Sequence, residues 1–192
     1  KGDVHTLQWW LDPLFGKPQK ELAQILSEEE REIISTPIDF IGYNSYKANN
    51  FDDEIPETKS QPGMPRTAIG WAITPDVLYW ETRFLYDRYK LPILVSENGM
   101  ANIDFVMEDG CVHDPQRISF LKGYLSGLKR AVEEKYPVIG YLYWSILDNF
   151  EWAEGFDQRF GLIYVDFTTQ KRTLKDSAFW YASWIRENGN LH

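Results

Sequence analysis

Three short stretches concentrate side chains able to act on a polyhydroxylated molecule. Leu91–Gly99 ends in Ser96-Glu97-Asn98-Gly99, Asp39–Tyr46 ends in Asn44-Ser45-Tyr46, and Tyr143–Trp152 sets Trp144, Asp148, Glu151 and Trp152 within ten residues. Each polar group follows an apolar run, at the point where a strand would give out. A carboxylate there can act as nucleophile, acid or base. Amides and a phenol can hold hydroxyls, and indole rings stack on C–H faces. Taken singly, Glu97 reads equally as a helix cap or a solvent-facing acid, Trp144 as core and Asp148 as a cap for backbone N–H groups. Together they put one carboxylate, two amides, a Tyr hydroxyl and several Trp faces on a single rim, which suits a sugar.

The elements that must position this rim alternate. Gln19–Ser35 reads as helical, with Ser27 and Glu30 as a capping box that restarts it. Asp39–Tyr46 is a short strand, followed by a polar loop over Lys47–Ala68. Thr74 and Pro75 open a helix, as N-cap and first-turn proline, that runs to about Lys90. In Leu91–Gly99, the unbroken Ile93-Leu94-Val95 implies a strand buried on both faces, and Gly99 is read as supplying conformational freedom to the turn. After a loop through Cys111, Asp114 and Pro115 start a long amphipathic helix ending near Lys135. Val138–Ile146 is the next strand, Leu147–Thr173 a loop with a short hairpin around Leu162–Phe167, and Leu174–Asn188 a final helix stopped by Gly189. Helix–strand repeated three times implies parallel pairing. The expected fold is α/β, the C-terminal part of a (β/α)8 TIM barrel (about strands 6 to 8 with their helices), residues 1–192 forming one partial domain. An open three-stranded sheet flanked by four helices is the alternative.

Composition narrows the partners. Of 192 residues, 16% are aromatic, including 8 Trp, a surplus that suits stacking on sugar rings. The net charge of −9 argues against nucleic acid or an anionic membrane as a partner. No apolar run approaches the ~20 residues of a membrane span. The single cysteine, Cys111, excludes an internal disulfide and favours a reducing, cytoplasmic setting.

Val95-Ser96-Glu97-Asn98-Gly99 resembles the [ILV]-[TS]-E-N-G nucleophile motif of family 1 glycoside hydrolases, the β-glucosidase-like retaining enzymes. Asp39-Phe40-Ile41-Gly42-Tyr43-Asn44-Ser45-Tyr46 is similar to that family's D-F-[IL]-G-x-N-x-Y strand. Tyr143–Trp152, Arg159–Asp166, Val112-His113-Asp114 with Arg117, and Lys175-Asp176-Ser177-Ala178 follow in the family's order and spacing. The resemblance covers essentially the whole chain.

It implies a double-displacement β-glycosidase without cofactor or metal. Glu97 would be the nucleophile, Tyr46 would orient and ionise it, and Asn44 would lie beside the catalytic centre. Trp144 would floor the sugar site with Phe160 near it, while Glu151 and Trp152 would take the 4- and 6-hydroxyls. An anionic Glu151 favours a sugar without phosphate. The family's general acid, a glutamate in T-x-N-E-P, has no counterpart here, since no Asn-Glu-Pro occurs in the sequence. Glu54, Glu57 and Asp148 offer no convincing replacement. The expectation is therefore a C-terminal segment whose partners are a small β-glycoside and a complementary N-terminal barrel segment carrying Asn-Glu-Pro. The competing reading is a non-catalytic carbohydrate-binding or scaffold fragment.

Overall fold

A computed structural model describes residues 8–48 and 63–188. Glu54, Glu57, Gly189 and the centre of the loop over 47–68 lie outside the described residues. The order is α1 (Trp9–Leu11), running into a 3-10 turn at Asp12–Phe15, then α2 (Lys20–Ile25), α3 (Glu28–Ile34), β1 (Ile41–Asn44), α4 (Val77–Tyr89), β2 (Ile93–Asn98), α5 (Pro115–Glu133), β3 (Val138–Tyr143), β4 (Ile163–Val165), β5 (Arg172–Leu174) and α6 (Asp176–Asn188).

β1, β2 and β3 pair in parallel, in that spatial order, and β4 pairs antiparallel with β5. Ile93 and Val95 are wholly buried, packing on the helix side against Leu85 and Tyr89 of α4 and against Phe120 and Tyr124 of α5. Leu94 points the other way, over Gly140, and is half-buried. The expected burial on both faces therefore holds fully on one face only. β1 and β3 are the outer strands of this sheet, and on β3 Ile139 and Leu142 are 51% and 54% exposed. Such edges and faces are what barrel closure covers.

The structure tests several local expectations. The capping box expected at Ser27 and Glu30 is present: Ser27 Oγ accepts from the Glu30 N–H and the Glu30 carboxylate accepts from the Ser27 N–H, so the restart is a separate helix, α3, after a break at Leu26. Thr74 does not cap α4. Its hydroxyl accepts from the Ala48 N–H at 2.7 Å, Asp76 is the N-cap, and the helix begins at Val77. The hairpin runs from Ile163 to Leu174, longer than Leu162–Phe167. Asp12, almost fully buried, ties the N-terminal turn to α4 through Arg88 at 2.5 Å and the Tyr89 hydroxyl at 2.9 Å.

A buried ionic network stands behind the C-terminal strand ends. Lys175, with no exposed surface, reaches Asp104 at 2.7 Å and Asp148 at 2.8 Å. Arg117, also fully buried, pairs with Asp104 at 2.6 Å and with Asp114, and Arg159 pairs with Asp148 at 2.7 Å. Burial works to raise the Asp104 carboxyl, but Arg117 and then Lys175 outweigh it, so its pKa is lowered. The network fastens the loops after β2 and β3 to the start of α6.

Candidate active site

Glu97 stands at the C-terminal end of β2, where the ladder is irregular. Tyr43 pairs with Val95, but Asn44 pairs with Glu97, so β2 carries an extra residue, Ser96, opposite β1. A bulge of this kind re-aims the side chains beside it. It brings Asn44 level with Glu97, and the Ser96 hydroxyl donates to Asn44 Oδ1 at 2.8 Å.

The next two residues of β1's chain clamp the same point. The Ser45 N–H donates to the Glu97 carbonyl at 2.9 Å, and the Ser45 carbonyl accepts from Asn98 Nδ2 at 2.7 Å. Tyr46 follows, and its hydroxyl donates to Glu97 Oε2 at 2.8 Å. Burial drives the Tyr46 phenol pKa far above its ordinary 10, and the bond to Glu97 and the charges of Glu97 and Glu151 add to the rise. Tyr46 therefore keeps its proton, and hence its role as donor, at any working pH.

Asn98 ties in the third strand. Its Oδ1 accepts from the Tyr141 hydroxyl at 2.8 Å, and its carbonyl accepts from the Trp144 N–H at 2.8 Å. Gly99 closes this joint for a reason other than the one expected: it has no positive φ, but a Cβ there would lie 1.9 Å from the Trp144 carbonyl oxygen. Only glycine lets the β2 and β3 ends approach so closely.

The remaining rim comes from the chain after β3. Trp144 is half-buried, is joined to Ser145 by a cis peptide, and donates from Nε1 to Glu151 Oε2 at 3.3 Å. Glu151 in turn acts electrostatically on Tyr46. Phe160 is buried; its ring meets Tyr46 edge-on at 6.2 Å and the Trp71 ring at 6.0 Å, so the three rings pack together beside Glu97's donor. Trp152, next in the chain to Glu151, is 84% exposed. Tyr46, Glu97, Trp144, Glu151 and Phe160 are thus brought together, with Asn44 beside them.

Trp71, 5.2 Å from Tyr46, was not singled out from the sequence. It lies in a loop with no periodicity, and nothing in its neighbours marks it. Asp148, which accepts from the Gly161 N–H at 2.9 Å as well as from Lys175 and Arg159, is buried in the ionic network away from the rim. Among the described residues no cluster of three His, Cys, Asp or Glu could hold a metal ion, and no helix is long and apolar enough to cross a membrane.

The profile of glycosyl hydrolase family 1 matches residues 7–190. Beta-glucosidase A of Thermotoga maritima is 42% identical over 94% of this chain and 43% of its own length. Beta-glucosidase A of Acetivibrio thermocellus is 37% identical over 95% of the chain and 45% of its own length. The solved Thermotoga maritima beta-glucosidase in complex with glucoimidazole superposes with a TM-score of 0.82 at 39% identity, over 93% of this chain and 43% of that one. The chain thus spans less than half the length of these relatives.

Proposed function

This chain belongs to glycosyl hydrolase family 1 and has the fold of the C-terminal part of its TIM barrel, and on that premise we propose that it supplies the nucleophile side of a retaining β-glucosidase. The observation that carries the reading is the 2.8 Å bond from Tyr46 to Glu97 at the end of a buried parallel strand. C-terminal strand ends are where barrel enzymes gather reacting groups, and a neutral phenol holds the carboxylate aimed without discharging it.

In the proposed reaction the Glu97 carboxylate attacks the anomeric carbon of a β-glucoside. The glycosidic C–O bond breaks, and the leaving oxygen takes a proton from a general acid. Water then cleaves the glycosyl ester with the same acid, now a base, accepting its proton, which returns Glu97 as the carboxylate. Two carboxyl groups about 5 Å apart are needed. The second belongs to a complementary N-terminal barrel segment carrying Asn-Glu-Pro, which pairs along the outer strands β1 and β3 and completes the single domain of which 1–192 is one part. Trp144 lies under the sugar ring, Glu151 and Trp152 take its 4- and 6-hydroxyls, Phe160 backs the pocket, and Asn44 binds beside the reacting carbon. Because Glu151 is anionic, the sugar carries no phosphate.

The test is covalent trapping. Chain 1–192 combined with the complementary segment is treated with a 2-deoxy-2-fluoro glucoside, digested and mapped. The adduct is expected on Glu97; an adduct on Glu151 or Asp148 would overturn the assignment. Chain 1–192 by itself is expected to show no turnover, since general acid catalysis is worth ~10²–10⁴-fold. A non-catalytic carbohydrate-binding role predicts sugar binding and no adduct in either preparation.

A further inference from the structure

Helix α4 carries an acid on the edge of its buried face. Val77, Leu78, Thr82 and Leu85 face the core, and Glu81, one turn on from Val77 and Leu78, is only partly exposed. Its Oε2 is buried and makes no hydrogen bond of normal geometry, nor does the buried Ser45 hydroxyl, yet the two lie close enough for that hydroxyl to act as a donor toward the Glu81 carboxylate. An ionised carboxylate with an orphaned oxygen is strongly disfavoured, whereas the neutral acid is not. The groups that feel Glu81 from the other elements are the phenols of Tyr43 on β1 and Tyr124 on α5, and the Ser45 hydroxyl; no described cation compensates it. Burial accordingly pushes the Glu81 carboxyl up to about 7, with the Ser45 hydroxyl acting in the opposite direction.

Ser45 is the residue through which this acid reaches the site. Its N–H and carbonyl hold Glu97 and Asn98, and the residue after it is Tyr46, the donor to Glu97. The Tyr124 hydroxyl also donates to the Tyr46 carbonyl at 3.0 Å. We propose that Glu81 is a positioning residue for Glu97: as the neutral acid it fills the space behind Ser45 and leaves the Tyr46–Glu97 pair aligned, and as the carboxylate it draws the Ser45 hydroxyl toward itself and disturbs that alignment. The proposal rests on reading Glu97 as the nucleophile.

The experiment uses the complemented protein with Glu81→Gln, which stays neutral at every pH, and with Ser45→Ala, which removes the hydroxyl that transmits the effect. A group titrating near 7 is about nine-tenths protonated at pH 6 and about one-tenth at pH 8. The fall in kcat/KM for an aryl β-glucoside from pH 6 to pH 8 is therefore expected to be up to about tenfold smaller in Glu81→Gln than in the parent, and reduced also in Ser45→Ala. With ¹³C at the glutamate carboxyl carbons, the Glu97 signal is expected to show an inflection near pH 7 that Glu81→Gln abolishes. If the fluoro-glucoside labels Glu97 but the pH profiles superimpose and the Glu97 signal is insensitive near pH 7, the positioning role is refuted while the nucleophile reading stands; that includes the case where both variants merely lower the melting temperature. If the label lands on another residue, the nucleophile reading itself is overturned and the proposal with it.

Discussion

Replacing Tyr46 with Phe isolates one atom of the site. The ring's neighbours, Trp71 at 5.2 Å and Phe160 at 6.2 Å, and the bond from Tyr124 to the Tyr46 carbonyl are untouched by the change. What disappears is the hydroxyl that donates to Glu97 Oε2 at 2.8 Å. A hydrogen bond to a charged group contributes about 1.5–3 kcal/mol, so its loss lowers turnover by about 10- to 150-fold if the bond is needed to aim the carboxylate. The loss should fall on kcat more than on KM, because the groups proposed to hold the sugar, Trp144, Glu151 and Trp152, are not altered. The assay is steady-state hydrolysis of an aryl β-glucoside by the complemented protein, with circular dichroism to confirm the fold. Activity within twofold of the parent would show that the Tyr46 hydroxyl does not serve the reaction. An equal fall in kcat/KM carried entirely by KM would show that it binds sugar instead of orienting Glu97.

Other perturbations test the scaffold. Lys175→Met leaves Asp104 and Asp148 buried with one cation each and should destabilise the fold by about 3–5 kcal/mol in urea titration; a change below about 1 kcal/mol would mean Arg117 and Arg159 suffice. His113 bonds Asp109 at 2.9 Å and Asp176 at 2.6 Å, and those two partners raise its pKa from 6.5 to about 9. A raised histidine contributes stability that is fully present below 6.5 and is lost as pH rises through about 9, so melting temperature should fall across that window in the parent and stay flatter in His113→Gln. Chain 1–192 alone should bind a hydrophobic dye at the face bearing Ile139 and Leu142, 51% and 54% exposed, and lose that binding with the complementary segment; dye binding that persists would place the apolar surface elsewhere.

The element order was legible because apolar runs are bounded by proline and polar turns: Pro92 and Pro137 lead into β2 and β3, and Asp114-Pro115 into α5. The meeting of Tyr46 with Glu97 follows from two neighbouring parallel strands that end level. Less could be read where the cause is a distant neighbour. Thr74 gives its hydroxyl to the Ala48 N–H instead of to a helix end. Gly99 is small because Trp144, 45 positions later, backs onto it. Lys175 and Arg117 look like surface residues in any composition count, since such side chains are almost never fully buried unless paired, and their partners lie up to 71 positions away.

The distribution of charge around Glu97 is itself an argument about how the site works. Arg117, Lys175 and Arg159 are all engaged by Asp104, Asp114 and Asp148, and none of the ion pairs among the described residues includes Glu97. On the proposed reading of Glu97 as nucleophile, the buried phenol of Tyr46, which keeps its proton, fixes the direction of the carboxylate. Backbone bonds through Ser45, Asn98 and Trp144 tie the three strand ends together, which would leave little reorganisation for a sugar of the kind proposed. On that reading, hydrogen bonds at the strand ends set the aim of the carboxylate, while Arg117, Lys175 and Arg159 are committed to Asp104, Asp114 and Asp148.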